Sequence, residues 1–117
     1  ADEIELATGG LGASVASIQN KREIFRAVVK AVLESIRISA TQKERVLPVL
    51  MKQFSIPYDD ASLILDIVQK GWALDGRPTP GIQKFEFDLA QREMGLKEPP
   101  MPEQVYDFSI LEEVTKK

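Results

Sequence analysis

The chain has 117 residues, of which 44% are hydrophobic and 28% charged, and its 15 Lys and Arg against 18 Asp and Glu leave a net charge of -3. This is the composition of a globular protein, and the net negative charge excludes a general attraction to nucleic-acid phosphates. The chain has no Cys and no His, which excludes disulfides and thiolate zinc sites and removes the commonest general base and metal ligand. We therefore expect no catalytic centre, no metal and no cofactor.

The first predicted element is one short β-strand. Residues Ile4 to Ala7 alternate apolar and polar side chains, and a glycine-rich stretch follows up to Ser14. Nothing else in the sequence predicts a strand, although a stable ladder needs at least a second one. The sequence also begins without Met and without the basic and apolar regions of a signal peptide. We therefore expect a processed chain or a piece of a longer protein, with the partner of the strand missing.

The rest of the chain predicts four or five helices, recognised by capping residues and by apolar residues at helical period. The first expected helix runs from Asn20, with Glu23 completing its capping box, to about Ile36, and the second, opened by Thr41 and Glu44, runs from residue 42 to about Phe54. A third is expected from Tyr58 to Gly71 and a fourth from the cap Thr79 to about Gly95. The last runs from Ser109, which forms a capping box with Glu112, to Lys117. Pro48 should kink the second helix or delay its start. Residues 97–102 are rich in proline and are predicted to be extended.

These elements predict a mainly α fold with one short N-terminal strand. Residues 1–14 form the strand and the glycine-rich turn, residues 15–96 the helices, and residues 97–117 the proline-rich tail and the short helix. Phe85 and Phe87 cannot face the same core, because positions two apart on a helix diverge by about 200°. Trp72 is expected to anchor the core.

Three features could carry binding chemistry. The glycine-rich segment could cradle a phosphate with its backbone amides, but it lacks the endings of the known nucleotide motifs, so a flexible connection is favoured. The second and third helices have the outline of a helix-turn-helix, but the third begins with Asp59 and Asp60, and nucleic acid is not an expected partner. Arg22, Arg26 and Lys30 line one side of a helix; they suit an acidic partner or a lipid surface, although a solvated face is favoured.

The order of these signals resembles the C-terminal end of substrate-binding proteins of ABC transporters, in the nitrate/sulfonate/taurine and thiamine-precursor group. The resemblance rests first on GGLGASVASI and on the helix NKREIFRAVVKAVLESIRI, with its Phe25-Arg26-Ala27 centre and Lys30-Ala31 pair. It also rests on the turn DGRPTPGI, on the helix end MGLKEPP and on the tail VYDFSILEE. It implies a type II periplasmic-binding fold, in which two α/β lobes close around a ligand. This chain would be the C-terminal part of the first lobe.

The resemblance also implies a function. The protein would be the solute-binding component of an ABC importer, located in the periplasm or another extracytoplasmic space. It would bind a small organic or anionic solute and deliver it to a membrane permease. Thr8, Gly9 and Gly10 would lie near the rim of the ligand cleft and contribute backbone amides and the Thr hydroxyl.

Two other functions are weighed against this one. The chain could be a stand-alone helical protein–protein interaction module. It could also be part of an enzyme, because the thiamine-precursor relatives include a pyrimidine synthase, but that chemistry is associated with histidine, which this chain lacks. If the chain is a piece of a two-lobe protein, we expect the isolated chain to self-associate through its uncovered apolar side.

Overall fold

The computed structural model describes residues 7 and 9–116, and the chain is mainly α-helical, as predicted. No β-strand occurs within these residues. The predicted strand lies outside them except for Ala7, which belongs to no regular element.

The described part of the chain forms seven α-helices and one 3-10 turn. They are α1 (Val15–Asn20), α2 (Arg22–Thr41), α3 (Lys43–Phe54), α4 (Tyr58–Val68), the 3-10 turn (Gln69–Gly71), α5 (Pro80–Met94), α6 (Pro102–Val105) and α7 (Ser109–Thr115). The ends of α5 confirm their prediction. The Thr79 hydroxyl accepts the Ile82 N–H at 3.2 Å, and Gly95 caps the other end in the left-handed region at φ 64°.

Two predicted helix caps are wrong, although α2 and α3 each begin two residues after the residue predicted to cap them. Asn20 is instead the last residue of the additional helix α1, whose own cap is Ser14: its hydroxyl accepts the Ser17 N–H at 3.1 Å. Thr41 is likewise the last residue of α2, and its hydroxyl donates to the Arg37 carbonyl at 2.7 Å. Threonine can make this backward bond within a helix as readily as it caps the next one, so the sequence pattern fitted both positions.

Of the two alternatives predicted for Pro48, the delayed helix start is wrong. Pro48 lies inside α3, which begins at Lys43 and continues past a residue that has no N–H to donate. Pro102 begins the short helix α6 within the segment predicted to be extended, and the Met101 N–H donates to Gln104 Oε1 at 2.8 Å. Proline suits the first position of a helix, because the N–H it lacks would have no partner there.

The chain divides into two compact units. The central unit is Ala27–Arg77, and the terminal unit consists of the described residues up to Arg26 together with those from Pro78 onward. Each has its own buried apolar residues.

The core of the central unit lies where α3 packs against α4. Leu47 and Leu65 are 1% exposed and Ala61 is fully buried. Lys43 Nζ lies 2.8 Å from Asp66 Oδ1 beside this core, and that hydrogen bond raises the pKa of Lys43. The half-buried residues that pack around the core are Val46, Leu50, Met51, Ile56 and Trp72. Trp72 therefore contacts the core, although it is not fully buried.

The core of the terminal unit is built on aromatic side chains. Phe87 is buried and its ring centroid lies 5.9 Å from that of Tyr106, which in turn stacks on Phe108 at 5.3 Å. Ile110 and Leu111 of α7 are also buried, whereas Phe85 is 40% exposed. The prediction that only one of the two phenylalanines of α5 can face the core is confirmed.

Candidate functional site

The predicted ligand-binding turn is only partly described. Thr8 lies outside the described residues. Gly9 and Gly10 are exposed and belong to no regular element, and a Cβ atom added at either would meet nothing within 4 Å. The described residues therefore supply no wall against Gly9 and Gly10.

The residue just before this turn is held by α5. The Ala7 N–H donates to Glu86 Oε1 at 2.5 Å, and the Tyr106 hydroxyl donates to Glu86 Oε2 at 3.3 Å. Burial, and then the charge of Glu86, raise the pKa of Tyr106, so its hydroxyl keeps its proton at neutral pH. Sequence reasoning missed Glu86, because no local pattern links it to a residue 79 positions away.

A second polar cluster joins the start of α2 to α7. Glu113 accepts from Arg22 Nε at 3.0 Å and from Arg26 Nε at 2.6 Å, and Arg26 also pairs with Glu23. The two arginines that suited an acidic partner or a solvated face thus have an acidic partner in their own chain. Lys30, the third member of that stripe, is exposed.

These contacts shift the pKa values of the side chains in the cluster in the directions expected for paired charges. Hydrogen bonds from Arg22, then from Arg26, lower the pKa of Glu113, and the bond to Glu113 raises the pKa of Arg26 further. Asp107 Oδ1 accepts the Ser109 hydroxyl at 2.6 Å and the Ser109 N–H at 2.9 Å, which lowers the pKa of Asp107. Asp107 therefore satisfies the N-terminus of α7 in place of the predicted cap, Ser109. The cluster is fully paired and stabilises the terminal unit rather than offering charge to a ligand.

Helix α4 has an exposed apolar surface in addition to the side that packs on α3. Leu63 and Ile67 are each 61% exposed, and Ile64 and Val68 are each 42% exposed. They recur at helical spacing and form one continuous surface, which we call the open face of α4. Ala61 and Leu65 are buried on the side that packs on α3, so α4 carries more apolar surface than its contact with α3 covers.

The grooves of the terminal unit do not form a convergent ligand site. A shallow cleft of about 390 Å³ runs between α5 and the prolines at 99, 100 and 102. Its charged residues, Lys84 and Asp88, pair with each other at 2.5 Å. Its remaining lining is largely apolar and open to solvent, so it offers little to orient a solute.

No cluster of three or more side chains suited to hold a metal ion occurs in residues 7 and 9–116. None of the helices within those ranges combines the length and the apolar character that crossing a bilayer demands. No known protein family, curated protein or solved structure matches the chain significantly.

Proposed function

We propose that this chain is the C-terminal part of the solute-binding component of an ABC import system, located outside the cytoplasm. The order of sequence signals from the glycine-rich turn to the tail VYDFSILEE supports the assignment. In that protein the solute would contact both lobes, because only a ligand that binds the closed form better can shift the population toward it. Thr8, Gly9 and Gly10 would contribute to the rim of the cleft, and the closed form would deliver its solute to a permease.

The open face of α4 is the observation that carries this proposal. Four large apolar side chains lie side by side on one helix at 42–61% exposure, although covering a Leu or Ile side chain completely stabilises a protein by about 1.5–3 kcal/mol. Neighbouring exposed apolar side chains of this kind are typical of a surface that contacts other protein. In the proposed protein the rest of the lobe covers it. In the isolated 117-residue chain, a second copy would do so, and we expect self-association.

The direct test is solute binding by the complete gene product that contains this chain. Nitrate, taurine, methanesulfonate and a hydroxymethylpyrimidine serve as probes in thermal unfolding experiments. A probe at about a hundred times its Kd stabilises its protein by about 2.7 kcal/mol, which raises the Tm by roughly 5 °C or more. We expect one class of probe to do this. The 117-residue chain is the control and should show no shift with any of them, since it lacks the second lobe. Failure of all four classes of probe to stabilise the complete product would contradict the proposal.

A matched substitution separates this proposal from a stand-alone interaction module. Leu63→Ala should cost about 2–4 kcal/mol in the complete product, where the open face is buried, and less than about 1 kcal/mol in the 117-residue chain at a concentration low enough to keep it monomeric, where the face is exposed. Urea unfolding of both proteins measures the difference. Equal, small costs in both would mean that the face is exposed in the complete product as well. The interaction module would then be the better explanation, with the open face as its docking surface.

A further inference from the structure

The segment that enters the predicted ligand-binding turn is held in place by one side chain of α5. Ala7 immediately precedes Thr8, Gly9 and Gly10, and its N–H donates to Glu86 Oε1 at 2.5 Å. An ionised carboxylate makes a shorter and stronger hydrogen bond than a neutral acceptor does. Within the described residues, no other side-chain hydrogen bond joins the segment 7–13 to the rest of the chain.

Glu86 is itself oriented by the core of the terminal unit. Its second oxygen accepts the Tyr106 hydroxyl at 3.3 Å, and the Tyr106 ring lies between Phe87 and Phe108. Phe87 is 8% exposed, so the ring it contacts rests on the buried part of the unit. The carboxylate therefore connects a packed aromatic group to an exposed, glycine-rich segment that has little packing of its own.

We propose that Glu86 is a positioning residue for solute binding, holding the segment at Gly9 and Gly10 in the place where its amides meet the solute. This rests on the proposed function. Glu86 does not touch the solute; it acts through the Ala7 amide. A binding group displaced by about 1 Å loses much of its contribution, so removing the bond should weaken binding without unfolding the protein.

The experiment has two readouts. The first is the exchange rate of the Ala7 amide in the 117-residue chain, followed by NMR. We expect that amide to be protected, and to exchange at least about tenfold faster in Glu86→Leu. Glu86→Gln keeps an acceptor oxygen of the same reach and should retain most of the protection. An Ala7 amide that exchanges freely in the unaltered chain would overturn the inference.

The second readout is the Kd of the complete gene product for whichever of nitrate, taurine, methanesulfonate or hydroxymethylpyrimidine stabilises it. We expect Glu86→Leu to raise this Kd about tenfold, Tyr106→Phe to raise it by a smaller factor, and Glu86→Gln to restore it to within about threefold. Glu93→Leu, at a 71% exposed position on the same helix, is the matched control and should leave the Kd unchanged. If Glu86→Leu does not fold, Tyr106→Phe and Glu86→Gln still decide the question.

The outcomes distinguish the two proposals. A complete product that binds a probe with an unchanged Kd in both Glu86→Leu and Tyr106→Phe would refute the role of Glu86 alone. The same holds if Glu86→Gln weakens binding as much as Glu86→Leu does, since the acceptor would then not be what matters. A complete product that binds none of the probes would refute the proposed function, and the role of Glu86 with it.

Discussion

Replacing Leu65 by alanine should remove most of the stability of the central unit. Leu65 is 1% exposed and packs with Leu47 and Ala61 where α3 meets α4. Leucine-to-alanine changes at such sites cost about 2–5 kcal/mol, because the lost apolar contacts leave a cavity that the neighbours only partly fill. A unit of about 50 residues has a total stability of roughly 3–8 kcal/mol. At the middle of both ranges, the substitution therefore removes more than half of it.

The same substitution two positions earlier is the control. Leu63 lies on the open face of α4 and is 61% exposed. Only about two-fifths of its apolar surface is buried, so Leu63→Ala should cost less than about 1 kcal/mol. Alanine's slightly higher helix propensity offsets part of even that.

Trp72 makes the measurement specific to this unit. It is the single Trp of the chain, and it packs against the core that contains Leu65. Its fluorescence in a urea titration, at a protein concentration low enough to prevent self-association, should report a midpoint lowered by about 2 M or more in Leu65→Ala, given a slope near 1 kcal/mol per M. Leu63→Ala should change the midpoint by less than about 1 M. Similar shifts in the two variants would refute the assignment of the buried and open faces of α4.

Three further predictions concern the terminal unit. Gly95→Ala should destabilise it by about 1 kcal/mol, because alanine tolerates the positive φ of this cap poorly. Gly81→Ala, within the same helix and with room for a Cβ, should stabilise it by about 0.5–1 kcal/mol. Thermal unfolding followed by circular dichroism measures both changes. Thr79→Ala should cost about 0.5–2 kcal/mol by the same measurement, and Thr79→Ser much less, since serine keeps the capping oxygen. The two arginines lower the pKa of Glu113, so the stability it contributes is present above the ordinary glutamate pKa of about 4.3 and is lost as the pH falls through its lower value in the folded state. Glu113→Gln should therefore flatten the loss of stability below about pH 5 relative to the unaltered chain, whereas Glu98→Gln, at an exposed position, should not; parallel acid-unfolding curves for all three proteins would contradict this.

The sequence predicted those features that depend on a few neighbouring residues. Thr79 followed by proline, and Gly95 after an apolar stretch, determine the ends of α5 because each satisfies backbone groups of its own helix. The two phenylalanines of α5 were assigned opposite environments from helical geometry alone. The predicted capping roles of Asn20 and Thr41 were wrong for a related reason: a polar residue before an apolar stretch can end one helix as well as begin the next.

The candidate site required the tertiary structure. Glycine content alone drew attention to the turn at Thr8, Gly9 and Gly10, and nothing near it in sequence indicated that Glu86 would bind the amide that precedes it. In the same way, the sequence did not identify the partner of Arg22 and Arg26. The fold places Glu113 beside both guanidinium groups.

The amino-acid order by itself determined that this chain is mainly helical, where several of its helices end, and that it lacks the side chains of thiol or imidazole chemistry. The fold decided which side of α4 is buried, which acid neutralises the arginines, and which carboxylate holds the segment before the glycine turn. The physical reason is how far apart in the sequence the interacting residues lie. Helix caps and apolar period arise from contacts within a few residues, whereas burial and ion pairing depend on residues that only folding brings together.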